Sequence, residues 1–461
     1  MARPQTWTRE IPFVDPVAAA MRLRRLPGLA FLDSAMRHDT LGRVSILAAD
    51  PFARFRFRDG RASLDGHPVP GGPIAALRAC LAPYRLDAEA GFPGGAIGYL
   101  AYDLGQALER VAVPPRRAGL TDDAAFDLHD TVLAVDHAAG TCRLVATGFP
   151  ETDPARRGAR AQARLARFAD LLDAHEPDPA APPPTEPPAW RSNFSRDRYE
   201  AAVRTVKDYI RAGDIYQANI AQRFTAALPR DFDPFAFYRR LRETNPATFG
   251  AYLECDGLRI ASSSPERFLK LDGRQVETRP IKGTVARSPD PAEDAARAAR
   301  LLADPKERAE NTMIVDLLRN DLSRVCAPGS VHVPVLCGLE SYAGIHHLVS
   351  VVTGTLRQGL DGLDLLEKTF PGGSITGAPK LRAMDIITEI EGDARELYCG
   401  AIGRIGFDGS LDTAIAIRTV FMDGATAVLQ AGGGVTLLSD PTAEYDETLT
   451  KAARVFQAFE P

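Results

Sequence analysis

Residues 176–193 carry Glu176-Pro177-Asp178-Pro179, Pro182-Pro183-Pro184 and Pro187-Pro188, and no helix or central strand can run through them. Each proline removes a backbone donor and fixes φ. The stretch therefore favours an extended polyproline conformation and reads as a linker between an N-terminal region, 1–175, and a second region, 194–461. Before it, Asp59-Gly60 and Asp65-Gly66 are hairpin signals. Thr131 to Val135 and Thr141 to Ala146, joined across Ala138-Ala139-Gly140, form a further predicted hairpin. Leu165, Phe168 and Leu172 give the stretch Ala155 to Ala174 the period of an amphipathic helix.

After the linker, Tyr199, Val203, Val206 and Ile210 mark a helix that Gly213 stops, and Ile215 to Phe224 begins an extended segment. Asp256-Gly257 and Asp272-Gly273 punctuate three strands that end at Lys282, and Asp408-Gly409 with Asp423-Gly424 do the same for 400–435. Two antiparallel meanders thus bracket a largely helical middle, about 290–395. That order predicts an α+β fold, not a doubly wound parallel sheet.

Composition excludes several functions. A net charge of −5 leaves no electrostatic footprint for nucleic acid. The absence of an eighteen-residue apolar run, or of a basic segment followed by an apolar one at the start, predicts a cytoplasmic chain with no membrane span. The six cysteines form no Cys-x-x-Cys pair, so they predict buried reduced thiols, not a zinc knuckle or disulfide framework. Val335-Leu336-Cys337-Gly338-Leu339 lacks the glycines of a nucleophile elbow.

The chemistry concentrates in a few places. Lys282 sits between Pro280-Ile281 and Gly283, a stiff setting for a residue that is most often solvated. Asp304-Pro305 and Asp440-Pro441 each open a helix. The first has Met313, Leu317 and Leu318 as its apolar positions and a capping-box spacing at Glu307, with Glu310 on the same face. In the second, Glu444, Glu447 and Lys451 form a stripe apart from the apolar one of Tyr445, Leu449, Ala452, Phe456 and Phe459. Acidic first turns complement the helix dipole by themselves; two that converged would also suit Mg²⁺, a hard cation that takes carboxylate oxygens. Gly372 to Lys380 is not a Walker loop, because Gly377-Ala378-Pro379 stands where Gly-Lys-Ser/Thr is needed. Its amides, like those of Gly432-Gly433-Gly434 after a strand, allow close approach of a carboxylate.

Ser263 to Phe268, Arg279 to Thr284, Arg308 to Asn311 with Val315 to Asp321, His346 to Ser350, Gly372 to Lys380, Ala416 to Thr419 and Glu444 to Thr448 with Lys451 resemble, in order, the blocks of the chorismate-utilising enzymes. The resemblance spans about 195–459. It implies a Mg²⁺-dependent α+β fold, with an antiparallel or mixed sheet core and helices packed outside, that performs nucleophilic replacement on the chorismate ring. Within the family, anthranilate synthase large subunits usually carry alanine at the place of Lys282, and the branch that aminates chorismate at C4 carries lysine. Members that add water carry a lysine base where this chain has Gln217.

The resemblance also implies roles. Glu310 and Glu447 bind Mg²⁺, with Glu307 and Glu444 as neighbours or further ligands. Arg418, Lys451, Tyr398, Thr376 and the amides of Gly377, Gly432 and Gly433 hold substrate carboxylates. Glu266 is the general acid at the C4 oxygen and Lys282 the covalent nucleophile, supported by Gln217, Thr284 and His347. Ammonia would come from a separate glutamine amidotransferase subunit in a heterodimer. Phe31 to Ser34 and Asn245 to Phe249 resemble the walls of a tryptophan pocket, with Ser34, Pro246 and Thr248 inside it. Asp33 stands where feedback-regulated members carry glutamate, which argues against inhibition and leaves bound tryptophan open. Two other readings remain: an anthranilate synthase, and a non-catalytic chorismate-binding subunit.

Overall fold

The computed structural model describes residues 6–36, 41–87, 91–174, 186–342 and 344–460. The first part of the proline-rich stretch, 176–185, lies outside them. Beyond it Trp190 packs against Phe456 and Phe459, ring centroids 5.2 Å from each.

Two large antiparallel sheets face each other. The first runs, edge to edge, through 7–11, 141–146, 131–136, 44–48, 30–33, 249–255, 258–264, 419–423, 426–435, 217–227 and 191–192. The second runs through 281–286, 345–355, 275–278, 267–272, 411–415, 401–406, 95–100, 124–129, 53–58, 61–64 and 67–69. Both sheets take strands from either side of the linker, joined where 30–33 pairs with 249–255 and where 95–100 pairs with 401–406. Ile97, Tyr99 and Ile402 of one sheet meet Leu253, Ile260, Phe421 and Val428 of the other in a core between them. Helices cover the outer faces: 16–23, 154–173, 234–244 and 441–457 lie on the first sheet, and 73–81, 305–323 and 362–369 on the second. The architecture is α+β, with the helices outside.

Local signals account for most elements. The Asp-Gly hairpins form where expected, with Asp59, Asp65 and Asp256 at positive φ beside their glycines. Helix Arg196–Ala212 ends on Gly213 at φ 85°, whose N–H bonds back to Ile210. All six cysteines are free and buried. Two expectations need correction. The middle of the chain is not largely helical, because His332–Ser341 and Ile345–Thr355 are long paired strands; the β-branched run Val349 to Thr353 favours the pleated state. In helix Pro305–Ser323 the buried apolar face is Ile314, Val315, Leu318 and Leu322, rotated from the expected Met313 and Leu317. The acidic first turn faces strand 281–286, where Gly283 lies against Glu307.

Candidate active site

The site forms where strand Thr426–Val435 ends, against Gln217–Ala227, with Asn219 opposite Gly434 and Ile220 opposite Gly433. The absence of side chains on these two glycines lets charged groups approach from outside the sheet. A Cβ on Gly433 would meet Glu444 Oε2 at 2.8 Å, Lys451 Nζ at 3.8 Å and Glu447 Oε2 at 3.9 Å. One on Gly434 would collide with the Gln217 carboxamide and come within 3.5 Å of Lys282 Nζ. Gly283, at φ +80°, gives the same kind of access: a Cβ there would lie 3.0 Å from Glu307 Oε2.

The two acidic helix starts therefore converge. Asp304 caps the Lys306 and Glu307 amides at 2.8 and 3.1 Å, and Asp440 caps Ala443 at 2.9 Å. Burial raises Glu310, with Glu307 and Glu444 pushing the same way and Lys282 and Lys306 opposing. Burial also raises Glu307, to which Glu447 adds, and Glu444, to which Glu447 adds again. Burial pushes Glu447 up as well, but its ion pair with Lys451 at 2.7 Å and the nearby Lys282 and Lys306 outweigh that and leave it below the usual range. Glu310 Oε1 and Glu444 Oε2 are buried without a hydrogen-bond partner. Two orphaned carboxylate oxygens from different helices, each group destabilised as an anion by its neighbours, fit a divalent cation. Among the described residues no three such ligands are closed around one point, so substrate or water oxygens would have to complete the shell.

Glu266 is 5% exposed, and burial raises its carboxyl to about 7 despite hydrogen bonds from the Ser374 hydroxyl and the Ile281 backbone and the charges of Lys282 and Arg418. A carboxyl poised there carries a proton near neutrality and can donate it. Lys282 is half-buried, and its amine has no hydrogen bond or ion pair among the described residues. It lies close enough to act on Glu266, Glu307, Glu310 and Glu447 alike. Arg418 holds a left-handed backbone at φ 50°, and its guanidinium also lacks a partner. Strain of this kind, about 1–3 kcal/mol, persists where the surroundings impose it. Here strands 411–415 and 419–423 fix the turn, while the Arg418 carbonyl accepts from the Ser263 backbone at 3.1 Å and hydroxyl at 3.2 Å.

His347 is buried and its pKa falls to about 3, first through burial and then through Arg418. It is neutral near pH 7, with Thr284 Oγ1 2.8 Å from Nδ1 and the Gly283 backbone hydrogen-bonded to the ring. Thr376 turns its hydroxyl to the Gly372 and Gly373 carbonyls at 3.0 and 3.3 Å, so it shapes its loop. Lys451 bonds the Gly432 carbonyl at 2.9 Å as well as Glu447. Tyr398 is buried beside Arg395. Ser34, Pro246 and Thr248 gather elsewhere, where strand 30–33 pairs with 249–255 and the Met36 amide bonds the Ala247 carbonyl at 3.0 Å. Asp33 there is held by Arg242 at 2.6 Å and Tyr238 at 3.1 Å.

Sequence reasoning missed three contributors. Ser374 sits inside the glycine loop but became visible only through its bond to Glu266. Asn219 lies two residues after Gln217, hence on the same strand face. Arg395, 1% exposed, pairs with Glu391 at 2.6 Å and donates to the carbonyls of Ile375 at 3.0 Å and Asn219 at 2.6 Å. No local pattern announces a buried arginine.

A buried acid, an unpaired amine and convergent carboxylates at the ends of two antiparallel sheets define an enzyme site built for a small anionic substrate. Residues 31–457 match the chorismate binding enzymes, and the chain belongs to that family. Over 420 residues, 90% of this chain and 84% of the relative, it is 41% identical to aminodeoxychorismate synthase component 1 of Klebsiella aerogenes. It is 37% identical over 462 residues to anthranilate synthase component 1 of Thermus thermophilus, covering 99% and 98% of the two chains. The crystal structure of anthranilate synthase component I from Streptococcus pneumoniae superposes with a TM-score of 0.78 at 31% identity, covering 90% of this chain and 92% of that one.

Proposed function

We propose that this chain is an aminodeoxychorismate synthase component I, which converts chorismate and ammonia to 4-amino-4-deoxychorismate. The observation that carries the reading is the unpaired amine of Lys282 beside the protonated, buried Glu266. Glu266 donates its proton to the departing C4 hydroxyl while the Lys282 lone pair attacks C2 and both double bonds of the ring diene shift. Water leaves, and a covalent C2–Nζ bond holds the ring. Ammonia then attacks C4, both double bonds shift back, and Lys282 departs with its electron pair. Arg418, free of protein partners, suits a bidentate clasp on a substrate carboxylate. Glu310, Glu444, Glu447 and Glu307 would hold Mg²⁺, which when bound offsets substrate charge and fixes the ring carboxylate. Gln217, a carboxamide where water-adding members carry a base, leaves water unactivated, and neutral His347 with Thr284 supports the strand that carries Lys282.

Ammonia would be delivered by a glutamine amidotransferase subunit, with free ammonium as a poorer substitute. Bound tryptophan at Ser34, Pro246 and Thr248 would be structural, because Asp33 is already engaged by Arg242 and Tyr238. The test is incubation with chorismate, Mg²⁺ and ammonium, followed by addition of the lyase that aromatises the product. Aromatic product only after the lyase supports the reading; anthranilate without it would instead favour the anthranilate synthases, which are nearly as similar.

A further inference from the structure

Amination of the ring involves the Lys282 nitrogen and the ammonia nitrogen, and the hydrogens of each need an acceptor as its lone pair attacks. Two buried amide oxygens have no hydrogen-bond partner among the described residues: Gln217 Oε1, on a residue 1% exposed, and Asn219 Oδ1, on a residue 7% exposed. Leaving such acceptors buried and unpaired is costly, so a fold retains them against its own stability. The Asn219 backbone is fixed on both sides, its N–H donating to the Thr376 carbonyl at 2.8 Å and its carbonyl accepting from Arg395 at 2.6 Å. Its register partner is Gly434, and opposed positions in an antiparallel pair share a face, with Cβ atoms about 5 Å apart. The Gly434 Cβ position is taken up by Gln217 Nε2, with Lys282 Nζ 3.5 Å from it. Asn219 thus shares a strand face with Gln217 and lies across from the glycine that the lysine amine approaches.

We propose that Asn219 is the hydrogen-bond acceptor for the attacking nitrogen. This rests on the Proposed function for the order of bond changes, but not for the presence of a nitrogen nucleophile. An N–H donated to an amide oxygen points the nitrogen lone pair away from the strand, toward the ring. The donor can be Lys282 as it attacks C2, or ammonia as it attacks C4. In the second step the C4–N bond forms from the ammonia lone pair, and the C2–Nζ bond breaks as its pair returns to Nζ. The new ammonium then carries the charge that Nζ gives up.

The test compares wild type with Asn219→Leu, which keeps the branching and removes the amide, and with Asn219→Ala measured alongside. Three readouts are taken: thermal midpoint, the rate of covalent adduct formation on mixing with chorismate and Mg²⁺ without ammonia, and the KM for ammonium chloride. Removing an orphaned amide should leave the midpoint of at least one variant equal or higher. If Lys282 is the donor, adduct formation slows by about fivefold or more; if ammonia is, the ammonium KM rises by about as much at an unchanged adduct rate. Unchanged values for both overturn the proposal, as does a rise in chorismate KM alone, or a lowered midpoint with all steps declining together. The wild-type product tests the Proposed function separately: anthranilate would refute it, yet the ammonium KM would still read the role of Asn219.

Discussion

At the scale of single residues, Glu266 makes the most definite demands. It acts as an acid in its protonated form, so turnover should fall as pH rises above about 7. Glu266→Gln should cost about 10²–10⁴ in kcat and flatten that limb of the profile. The same proton governs stability. The folded value of about 7 exceeds the ordinary 4.5, so the contribution of the neutral form is present below about pH 4.5 and is lost as pH rises through about 7. Its span is about 3 kcal/mol. Glu266→Gln should therefore gain stability relative to wild type at pH 8 over its difference at pH 5, as paired melting curves would show; equal differences would contradict the buried-acid reading.

At the scale of elements, two glycines and two caps bring the carboxylates together. Gly433→Ala places a methyl 2.8 Å from Glu444 Oε2, the end of a flexible side chain, which can move aside at little cost to the fold. The melting midpoint should stay within a few degrees while the Mg²⁺ concentration for half-maximal activity rises roughly tenfold, an effect of about 1.4 kcal/mol on the cation. A large stability loss with an unchanged Mg²⁺ requirement would argue against the site. The elements were the most legible feature of the sequence. Asp-Gly pairs fix hairpins through backbone geometry, and Asp-Pro fixes helix starts through capping, both within a few residues. The middle strands 332–341 and 345–355 were not legible because they pair only with each other and with remote strands. Arg395 was hidden because its pair with Glu391, four residues away, looks like any surface i,i+4 pair, whereas the carbonyls that bury it, of Ile375 and Asn219, are 20 and 176 positions away. Arg395→Ala would strand Glu391 in the interior and should destabilise the fold by about 3–5 kcal/mol, measurable by denaturant unfolding.

At the scale of the whole molecule, residues on both sides of the proline-rich stretch share both sheets. Residues 194–461 alone would expose the edges of 249–255 and 401–406, where 30–33 and 95–100 normally pair. We expect that fragment to lack a cooperative unfolding transition, and the full chain to unfold in one. Composition and periodicity marked the break in the chain but not this interleaving, since strand order is decided by contacts across hundreds of residues. The resemblance of ordered blocks supplied the residues proposed for the site, and the fold brings Lys282, Glu307, Glu444 and Glu447 together around Gly283, Gly433 and Gly434. That place serves Lys282. Intact-mass analysis of the protein mixed with chorismate and Mg²⁺, with ammonia withheld, tests the claim most directly. The account predicts a species heavier by chorismate less one water, mapped to Lys282 and absent from Lys282→Ala, which should also be inactive with ammonium. An enzyme that turns over chorismate and ammonium with no such species, and a Lys282→Ala variant that keeps its rate, would contradict it.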